Sequence, residues 1–142
     1  MKYLLDTDHI SILQRQSEPQ YANLMSRITR HAPEDFAFSI ISFHEQLLGC
    51  HTYISHARTS GDVVRGYGML ARVLEDFAIA AVLLFDADAA AVYDRLVAQR
   101  VRVPTMDLRI ASIALSRSLV LATRNASDFR KAAGLRIEDW TE

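Results

Sequence analysis

The sequence predicts an α/β fold with a mainly parallel sheet, and two observations carry that prediction. Short apolar runs of strand length alternate along the chain with longer segments in which apolar residues recur at helical spacing. This alternation is typical of βαβ units, in which neighbouring strands run parallel. The second observation is length, because 142 residues suffice for one substantial apolar core, and we expect residues 1–142 to form a single domain.

Five apolar runs are predicted to form the strands. Each run is too short for a helix and is followed by polar or helix-starting residues. In chain order they are Tyr3–Leu5, Phe36–Ile41, Ala78–Phe85, Ser118–Thr123 and, as an edge strand, Leu135–Ile137. Residues 46–80 contain no clear strand before the third run, so two helices are expected to follow one another there.

The segments between these runs carry helix start signals. One helix begins directly after Asp6, with Thr7 or Asp8 as its N-cap. Ser42 and Glu45 have the spacing of a capping box, in which each side chain accepts from a backbone N–H at the start of the helix. The remaining predictions are helices over Ser17–Arg30, Ser42–His56, Val63–Phe77, Asp86–Arg100 and Met106–Ser116, and a loop with a short helix over Arg124–Gly134.

Composition and charge exclude several classes of protein. Lys and Arg number 16 against 17 Asp and Glu, a net charge of -1, so binding to a polyanion through bulk positive charge is excluded. The single cysteine, Cys50, cannot form an internal disulfide, which fits a reducing compartment. No apolar run approaches the roughly 20 residues of a membrane helix, and Asp6 comes too early for a signal peptide. We therefore expect a cytoplasmic protein with no membrane partner.

Acidic side chains follow the predicted strands or open the helices that come after them. The set is Asp6, Glu45, Asp107 and Asp128, with Asn125 close to the last. Ligands of open α/β sheets bind beyond the carboxyl ends of the strands, so these groups are expected at one edge. Each acid also has an ordinary interpretation as a helix cap, and the capping box by itself explains Glu45. A carboxylate directly after a buried strand, as at Asp6, must be solvated, paired or bound to a cation.

The periodicity around Asp107 indicates which way its carboxylate faces. Ile110, Ala111 and Ala114 follow it at helical intervals, which places Asp107 at the head of the apolar face. Acids that face one cleft repel each other unless a cation lies between them. Oxygen ligands without cysteine or a histidine pair favour Mg²⁺, with Mn²⁺ as the alternative. Such an ion can position a phosphodiester and activate water, so metal-assisted hydrolysis is the chemistry that these residue types best permit.

Four segments, taken in order, resemble the motifs of PIN-domain ribonucleases, and specifically the VapC-type toxins of bacterial toxin–antitoxin pairs. They are Tyr3–Asp8, Ser39–Gly49, Val103–Ala111 and Leu121–Phe129, and the ending Gly134–Trp140 is similar to a common toxin C-terminus. The resemblance implies a three-layer α/β/α fold around a twisted, mainly parallel sheet. It also implies Mg²⁺ held chiefly by Asp6 and Asp107, with Glu45 and Asp128 completing the catalytic pocket. Where this chain has Asp8, Asn is commoner in the family.

The same resemblance implies the partners. An endoribonuclease of this kind hydrolyses RNA, often a transfer RNA, is inhibited by a small antitoxin protein, and usually forms a homodimer. Asn125 could occupy the position of Asp128 or bind the same cation through water. The candidate substrate-binding residues are Thr7, Arg109, Thr123, Arg124 and Asn125.

Two other functions remain open. Asp6-Thr7-Asp8 also resembles the start of haloacid-dehalogenase-like phosphatases, in which Asp6 would be the phosphate nucleophile. A non-catalytic α/β binding module with an unused acidic pocket is the second alternative. Among other side chains, His9 is a candidate for substrate contact, and Trp140 is expected to pack the C-terminal tail. The stripe Met69, Leu70, Val73 and Leu74 is either core or dimer surface.

Overall fold

Five short strands form the sheet in the computed structural model, which describes all 142 residues. They are β1 (Tyr3–Leu5), β2 (Phe36–Ser39), β3 (Val82–Leu83), β4 (Val120–Ala122) and β5 (Ile137–Glu138). The order across the sheet is β3-β2-β1-β4-β5, and every neighbouring pair is parallel. The prediction of an α/β fold with a mainly parallel sheet is therefore confirmed.

Seven α-helices connect the strands. They are α1 (Thr7–Arg15), α2 (Gln20–Ile28), α3 (Ile40–Ser55), α4 (Ser60–Ile79), α5 (Ala87–Ala98), α6 (Thr105–Ser116) and α7 (Ala126–Phe129). A short 3-10 turn over Pro33–Asp35 precedes β2, and α3 leads into α4 without a strand between them, as predicted. None of the helices has both the length and the apolar character needed to span a bilayer.

Alternate side chains of the central strands enter two separate apolar layers. Leu4 and Leu121 belong to the layer that α5 and α6 complete, whereas Leu5 and Ala122 belong to the layer shared with α1, α2 and α4. All four side chains are at most 2% exposed. Helices therefore cover both faces of the sheet, which confirms the three-layer α/β/α arrangement.

The pairing of β1 with β4 fixes the edge of the sheet where polar side chains begin. Leu5 lies opposite Ala122, and the Asp6 amide donates to the Ala122 carbonyl at 2.9 Å. Asp6 and Thr123 are thus neighbours, each one residue past the end of its strand. On the other side of β1, strand β2 ends at Ser39. Side chains that follow these three strands meet at one edge of the sheet.

The start of α3 differs from the predicted capping box. Strand β2 ends at Ser39 and α3 begins at Ile40, so the predicted strand Phe36–Ile41 is two residues too long. The N-cap is Ser39 and not Ser42, because the Ser39 Oγ accepts from the Ser42 amide at 3.1 Å. Both serines suit an N-cap, and two isoleucines suit a strand as well as a helix. Packing decides between them, since Ile41 enters the apolar layer from the first turn of the helix.

The first two helices also start elsewhere than predicted. The N-cap of α1 is Asp6 rather than Thr7 or Asp8, and the Asp6 carboxylate accepts from the Thr7 amide. Helix α2 begins at Gln20 without a side-chain cap, so Ser17 is not its cap. In both cases several adjacent residues have good capping chemistry, and only the path of the chain out of the strand selects one.

The third predicted strand is much shorter than expected. Helix α4 continues to Ile79, and only Val82–Leu83 of the predicted Ala78–Phe85 pairs with β2. Strand β3 lies at the edge of the sheet with one neighbour, so few of its residues gain ladder hydrogen bonds. Apolar composition alone could not show where the helix gives way to this short strand.

The apolar stripe of α4 is divided between core and surface. Val73 is buried and Leu70 packs against the same apolar layer, whereas Leu74 is 63% exposed and Met69 is 37% exposed. The core interpretation is therefore confirmed for Val73 and Leu70, whereas Leu74 and Met69 lie at the surface.

Trp140 anchors the C-terminal segment, as predicted. Its indole is 1% exposed and packs edge-on against Tyr3, with ring centroids 4.7 Å apart. The rings of His31 and Phe36 lie 5.7 and 5.8 Å from it. Asn23 Nδ2 donates to the carbonyl of Thr141 at 2.9 Å, which ties the residue after the tryptophan to α2. The tail is thereby packed beside the start of β1.

Candidate acidic active site

Asp6 is the most buried acid at the carboxyl edge of the sheet. It is 5% exposed, and its two carboxylate oxygens accept from the Thr7 amide at 2.8 Å and the Thr123 hydroxyl at 2.7 Å. The pKa of Asp6 is raised to about 7, mainly by burial and also by the neighbouring charges of Asp8 and Asp107, while the two hydrogen bonds oppose the shift. A group of this kind carries either a proton or a nearby cation at neutral pH.

Glu45 reaches the same pocket from α3. Its Oε1 accepts from the Thr7 hydroxyl at 2.9 Å, and that hydroxyl also lies 2.8 Å from Ser42 Oγ. Burial raises the pKa of Glu45, and the charge of Asp107 adds to the shift. The alternative that Glu45 serves only in a capping box with Ser42 is wrong, because Ser39 caps the helix.

Asp107 and Asp128 are bridged by Asn125. The Asn125 amide nitrogen lies 3.4 Å from Asp107 Oδ2 and 3.1 Å from Asp128 Oδ2. Burial raises the pKa of Asp107, with further contributions from the charges of Asp128 and Asp8. The hydrogen bond from Asn125, followed by Lys131, lowers the pKa of Asp128, whose side chain is 30% exposed. Asn125 therefore accompanies Asp128 and links it to Asp107.

Comparison with known proteins gives a consistent result. No family model and no curated protein matches the chain. Solved structures do match over nearly the full length of both chains. DNA-bound VapBC from Salmonella typhimurium is 26% identical over 99% of this chain and 98% of the other, with a TM-score of 0.74. VapBC-1 from nontypeable Haemophilus influenzae is 23% identical over 100% of both chains, with a TM-score of 0.77. A third is VapBC-5 from Mycobacterium tuberculosis, of the VapBC family of toxin–antitoxin systems (25%, 99% and 98%, 0.61).

The chain has the fold of a VapC-type PIN domain. The resemblance inferred from the four sequence motifs is thereby confirmed at the level of the fold. All four predicted acids, Asp6, Glu45, Asp107 and Asp128, lie at the carboxyl edge of the sheet or in helices that start near it. Asp107 is the acid that they share, since its charge raises the pKa values of Asp6 and Glu45 and the charge of Asp128 raises its own.

Asp8 is a further acid of the pocket that the predicted set omits. Its Oδ2 accepts from the Arg124 amide at 2.9 Å and lies 3.4 Å from the Thr123 hydroxyl. Its charge raises the pKa values of Asp6, Glu45 and Asp107. Because Asp6 is the cap, Asp8 falls in the first turn of α1 and faces the loop after β4. The sequence carries a signal for this role, because Asp8 comes two residues after Asp6 at the end of the first strand. The interpretation of Asp8 as a helix cap led to its omission from the predicted set.

The five candidate substrate-binding residues occupy different positions around the acidic pocket. Thr123 is fully buried and holds Asp6, and Thr7 holds Glu45, so both hydroxyls support carboxylates. Asn125 bridges two acids, and Arg109 Nη1 lies 3.7 Å from Met106 Sδ on its own helix. Arg124 has an exposed side chain while its amide contacts Asp8. Of the five, Arg124 is the best placed to meet a phosphate.

The donor set of the pocket fits a hydrated divalent cation. No three His, Cys, Asp or Glu side chains are arranged closely enough to bind one ion directly. Mg²⁺ keeps several water ligands, however, and is commonly held by one or two carboxylates. Carboxylate oxygens with raised pKa values supply the hard ligands and the excess negative charge that such an ion needs. The residues are therefore suited to Mg²⁺ or Mn²⁺ with a partial water shell.

A wide groove elsewhere on the protein does not include these carboxylates. It has a volume of about 800 Å³ and is lined mainly by apolar side chains of α1, α2, β2 and the end of α4. Its mainly apolar lining is unlike that of a site for phosphate chemistry. Chemistry, and not the size of the concavity, locates the candidate active site.

Proposed function

We propose that this protein is a Mg²⁺-dependent endoribonuclease and the toxin of a VapBC-type toxin–antitoxin module. Its substrate would be RNA, with transfer RNA as the first candidate, and its reaction the hydrolysis of a phosphodiester bond by metal-activated water. Two lines of support converge: the likeness of the fold to VapBC components and the acidic pocket at the sheet edge. We further propose that it acts in the cytoplasm as a single domain.

The observation that carries the proposal is the convergence of Asp6, Glu45 and Asp107. These carboxylates reach one edge from three different elements, and all have raised pKa values. Such an arrangement destabilises a protein unless a proton or cation compensates it, which supports the proposal of a cation site. Asp6 and Asp107 are assigned as the principal ligands, with Glu45 and Asp128 completing the pocket.

The side chains of the pocket have separable tasks in this mechanism. When bound, Mg²⁺ supplies Lewis-acid polarisation of the scissile phosphate and lowers the pKa of a coordinated water. Thr123 and the Thr7 amide fix both oxygens of Asp6, and the Thr7 hydroxyl fixes Glu45. Asn125 keeps Asp107 and Asp128 at a set separation. The exposed guanidinium of Arg124 binds a phosphate of the RNA next to the acids.

Partners follow from the same proposal. The structural neighbours are VapBC assemblies, which supports a VapB-like antitoxin as the protein partner. We also propose a homodimer, for which exposed apolar side chains such as Tyr67 and Leu74 on α4 offer contact area. Because the net charge of the chain is -1, local arginines must hold the RNA.

Digestion of RNA by the purified full-length chain tests the proposal. The reaction is run with Mg²⁺, with EDTA, and with EDTA followed by excess Mg²⁺, on transfer RNA and on a DNA of matched sequence. We expect internal cleavage of RNA in the first and third reactions only. Cleavage that persists in EDTA would contradict the metal requirement, and absence of cleavage from a range of RNAs would contradict the nuclease.

The phosphatase alternative, in which Asp6 is the nucleophile, has less support. The solved structures that match the chain over nearly its whole length are VapBC complexes. Release of phosphate from a phosphomonoester, with a phosphorylated Asp6 trapped on the protein, would nevertheless favour that reaction over RNA hydrolysis. The same RNA digestion therefore includes a phosphomonoester as a parallel substrate.

A further inference from the structure

His9 is a fully buried histidine that lies beside the acidic pocket but does not open into it. Its side chain is 0% exposed, so the expectation that it contacts substrate is wrong. Its Nδ1 lies 2.7 Å from Asp8 Oδ1, and its Nε2 lies 3.2 Å from the amide nitrogen of Trp140. The ring thus stands between the C-terminal segment and an acid of the pocket.

The contact with Trp140 decides which nitrogen of His9 carries the proton. A backbone N–H can only donate, so Nε2 must present a lone pair, and the neutral ring then carries its proton on Nδ1. That proton points at Asp8, so His9 donates to the carboxylate. Asp139 lies 3.9 Å from Nε2, but its Oδ1 already accepts from the amide and hydroxyl of Thr141 at 2.9 and 2.6 Å. The backbone donor is therefore the partner that sets the tautomer.

Asp8 is consequently held at both oxygens by donors from different parts of the chain. His9 binds Oδ1, and the Arg124 amide binds Oδ2. With both oxygens fixed, the carboxylate cannot turn away from the pocket without losing two hydrogen bonds. Its charge acts on Asp6, Glu45 and Asp107, so the direction of this one carboxylate affects all three.

The donor to His9 is itself rigidly placed. Trp140 is packed among the rings of Tyr3, His31 and Phe36, and the next residue is tied to α2 through Asn23. Because the Trp140 amide is fixed in this way, a flip of the His9 ring would break the hydrogen bond between them. The C-terminal segment therefore holds His9 in a single orientation, and the effect passes through one ring to the pocket.

We propose that His9 is a positioning residue, fixed as the Nδ1–H tautomer by the Trp140 amide, which orients Asp8 so that the acidic pocket binds its divalent cation. The inference rests on the proposed function, since it concerns how His9, which does not line the proposed cation site, positions an acid of that site. It gives the C-terminal segment a role in the site as well as in packing.

A matched pair of substitutions separates positioning from simple structural support. In His9→Asn the amide nitrogen can take the place of Nδ1 and donate to Asp8, while the bond from Trp140 is lost. In His9→Gln the amide oxygen can take the place of Nε2 and accept from Trp140, while the bond to Asp8 is lost. Each variant removes one of the two hydrogen bonds, so comparable losses of Tm are expected.

The readouts are Mg²⁺ binding by titration calorimetry without RNA, and the Mg²⁺ dependence of RNA cleavage. We expect His9→Gln to weaken Mg²⁺ binding by about tenfold or more, and His9→Asn to retain most of it. In an Asp8→Ala background the same His9→Gln change should cause no further loss of Mg²⁺ affinity, because the hydrogen bond that it removes is already absent. In the unsubstituted protein, ¹⁵N chemical shifts should place the His9 proton on Nδ1.

Three outcomes would overturn the inference and are distinguishable from failure of the nuclease proposal. Equal Mg²⁺ affinities for the two His9 variants would show that His9 has only a structural role. A further loss from His9→Gln in the absence of Asp8 would show that the ring acts by another route. A proton on Nε2 would contradict the tautomer. In each case the unsubstituted protein still binds Mg²⁺ and cleaves RNA, whereas a protein that does neither overturns both proposals.

Discussion

Two aspartates of this protein cap helices that follow strands, and their carboxylates have opposite chemistry. Asp6 caps α1 and accepts from the Thr7 amide, and Asp86 caps α5 and accepts from the Ala89 amide. Burial raises the pKa of Asp6 to about 7, whereas the hydrogen bond from Ala89, assisted by Arg117, lowers the pKa of Asp86. The local sequence, a short apolar run followed by Asp and a helix, does not distinguish them.

The difference comes from the elements that lie across from each cap. Arg117 pairs with Asp86 at 2.9 Å, and the Asp86 side chain is 41% exposed. Asp6 is buried, and its charged neighbours are the acids Asp8 and Asp107. One cap is therefore neutralised by the protein, whereas the charges that act on the other are acidic, which fits the proposed cation site. Tertiary neighbours, and not the capping position, give the two carboxylates their different pKa values.

The sharpest test of the comparison is to remove the charge from each cap in turn. Asp6→Asn should lower Mg²⁺-dependent RNA cleavage by at least about 100-fold, because loss of a metal ligand removes several kcal/mol of stabilisation from the transition state. Asp86→Asn should leave cleavage unchanged, because its carboxylate faces Arg117 and no cation. Both variants should give the circular dichroism spectrum of the unsubstituted protein. Equal activity in Asp6→Asn would remove Asp6 from the site.

Glu45→Gln extends the test to an acid on another element. The amide oxygen of Gln can still accept from the Thr7 hydroxyl, so we expect little change in Tm. Loss of the charge should lower Mg²⁺ affinity or cleavage by about 10- to 100-fold. Glu75→Gln, an exposed acid on α4, is the matched control and should have no effect. Full activity in Glu45→Gln would restrict the functional carboxylates to the aspartates.

Only some of the residues in this comparison could be identified from the sequence. Asp6 could be identified because a carboxylate that directly follows a buried strand needs a partner. Asp107 could be identified because it heads the apolar face of its helix. The place of Asp8 in the pocket and the role of His9 could not be predicted from sequence. Asp8 contacts Arg124 and His9 contacts Trp140, and both partners lie more than a hundred residues away in the chain. For the same reason, sequence offered Ser42 as the cap when tertiary packing selects Ser39.

The predicted ends of strands and helices were wrong where the local sequence suits a strand and a helix equally well. Ile40–Ile41 and Ala78–Ile79 suit a strand or a helix, and burial against a neighbouring layer or extension of an existing helix resolves each case. The overall fold was nevertheless predictable, because it depends on the alternation of elements and tolerates errors of a few residues at their ends. A cation site has no such tolerance, which is why its supporting contacts had to come from the structure.

The pH dependence of stability should have opposite signs at the two caps. Because the folded-state pKa of Asp6 is raised, its contribution to stability is present below its ordinary value of 3.8 and is lost as the pH rises through about 7. In EDTA, the protein should therefore melt several degrees lower at about pH 8 than at about pH 5. Added Mg²⁺ should restore Tm chiefly at the higher pH. The loss should be much smaller in Asp6→Asn, and an unchanged loss in that variant would assign it to other groups.

Asp86 should show the reverse dependence and the smallest effect. Its folded-state pKa is lowered, so its contribution is present above 3.8 and is lost as the pH falls below that value. Asp86→Asn should lower Tm slightly at neutral pH, and the difference from the unsubstituted protein should shrink in acid. Asp88→Asn is the matched control, an exposed acid in the first turn of the same helix. If both substitutions lowered Tm equally, the helix dipole alone would explain Asp86, and the pairing with Arg117 could no longer account for the contrast with Asp6.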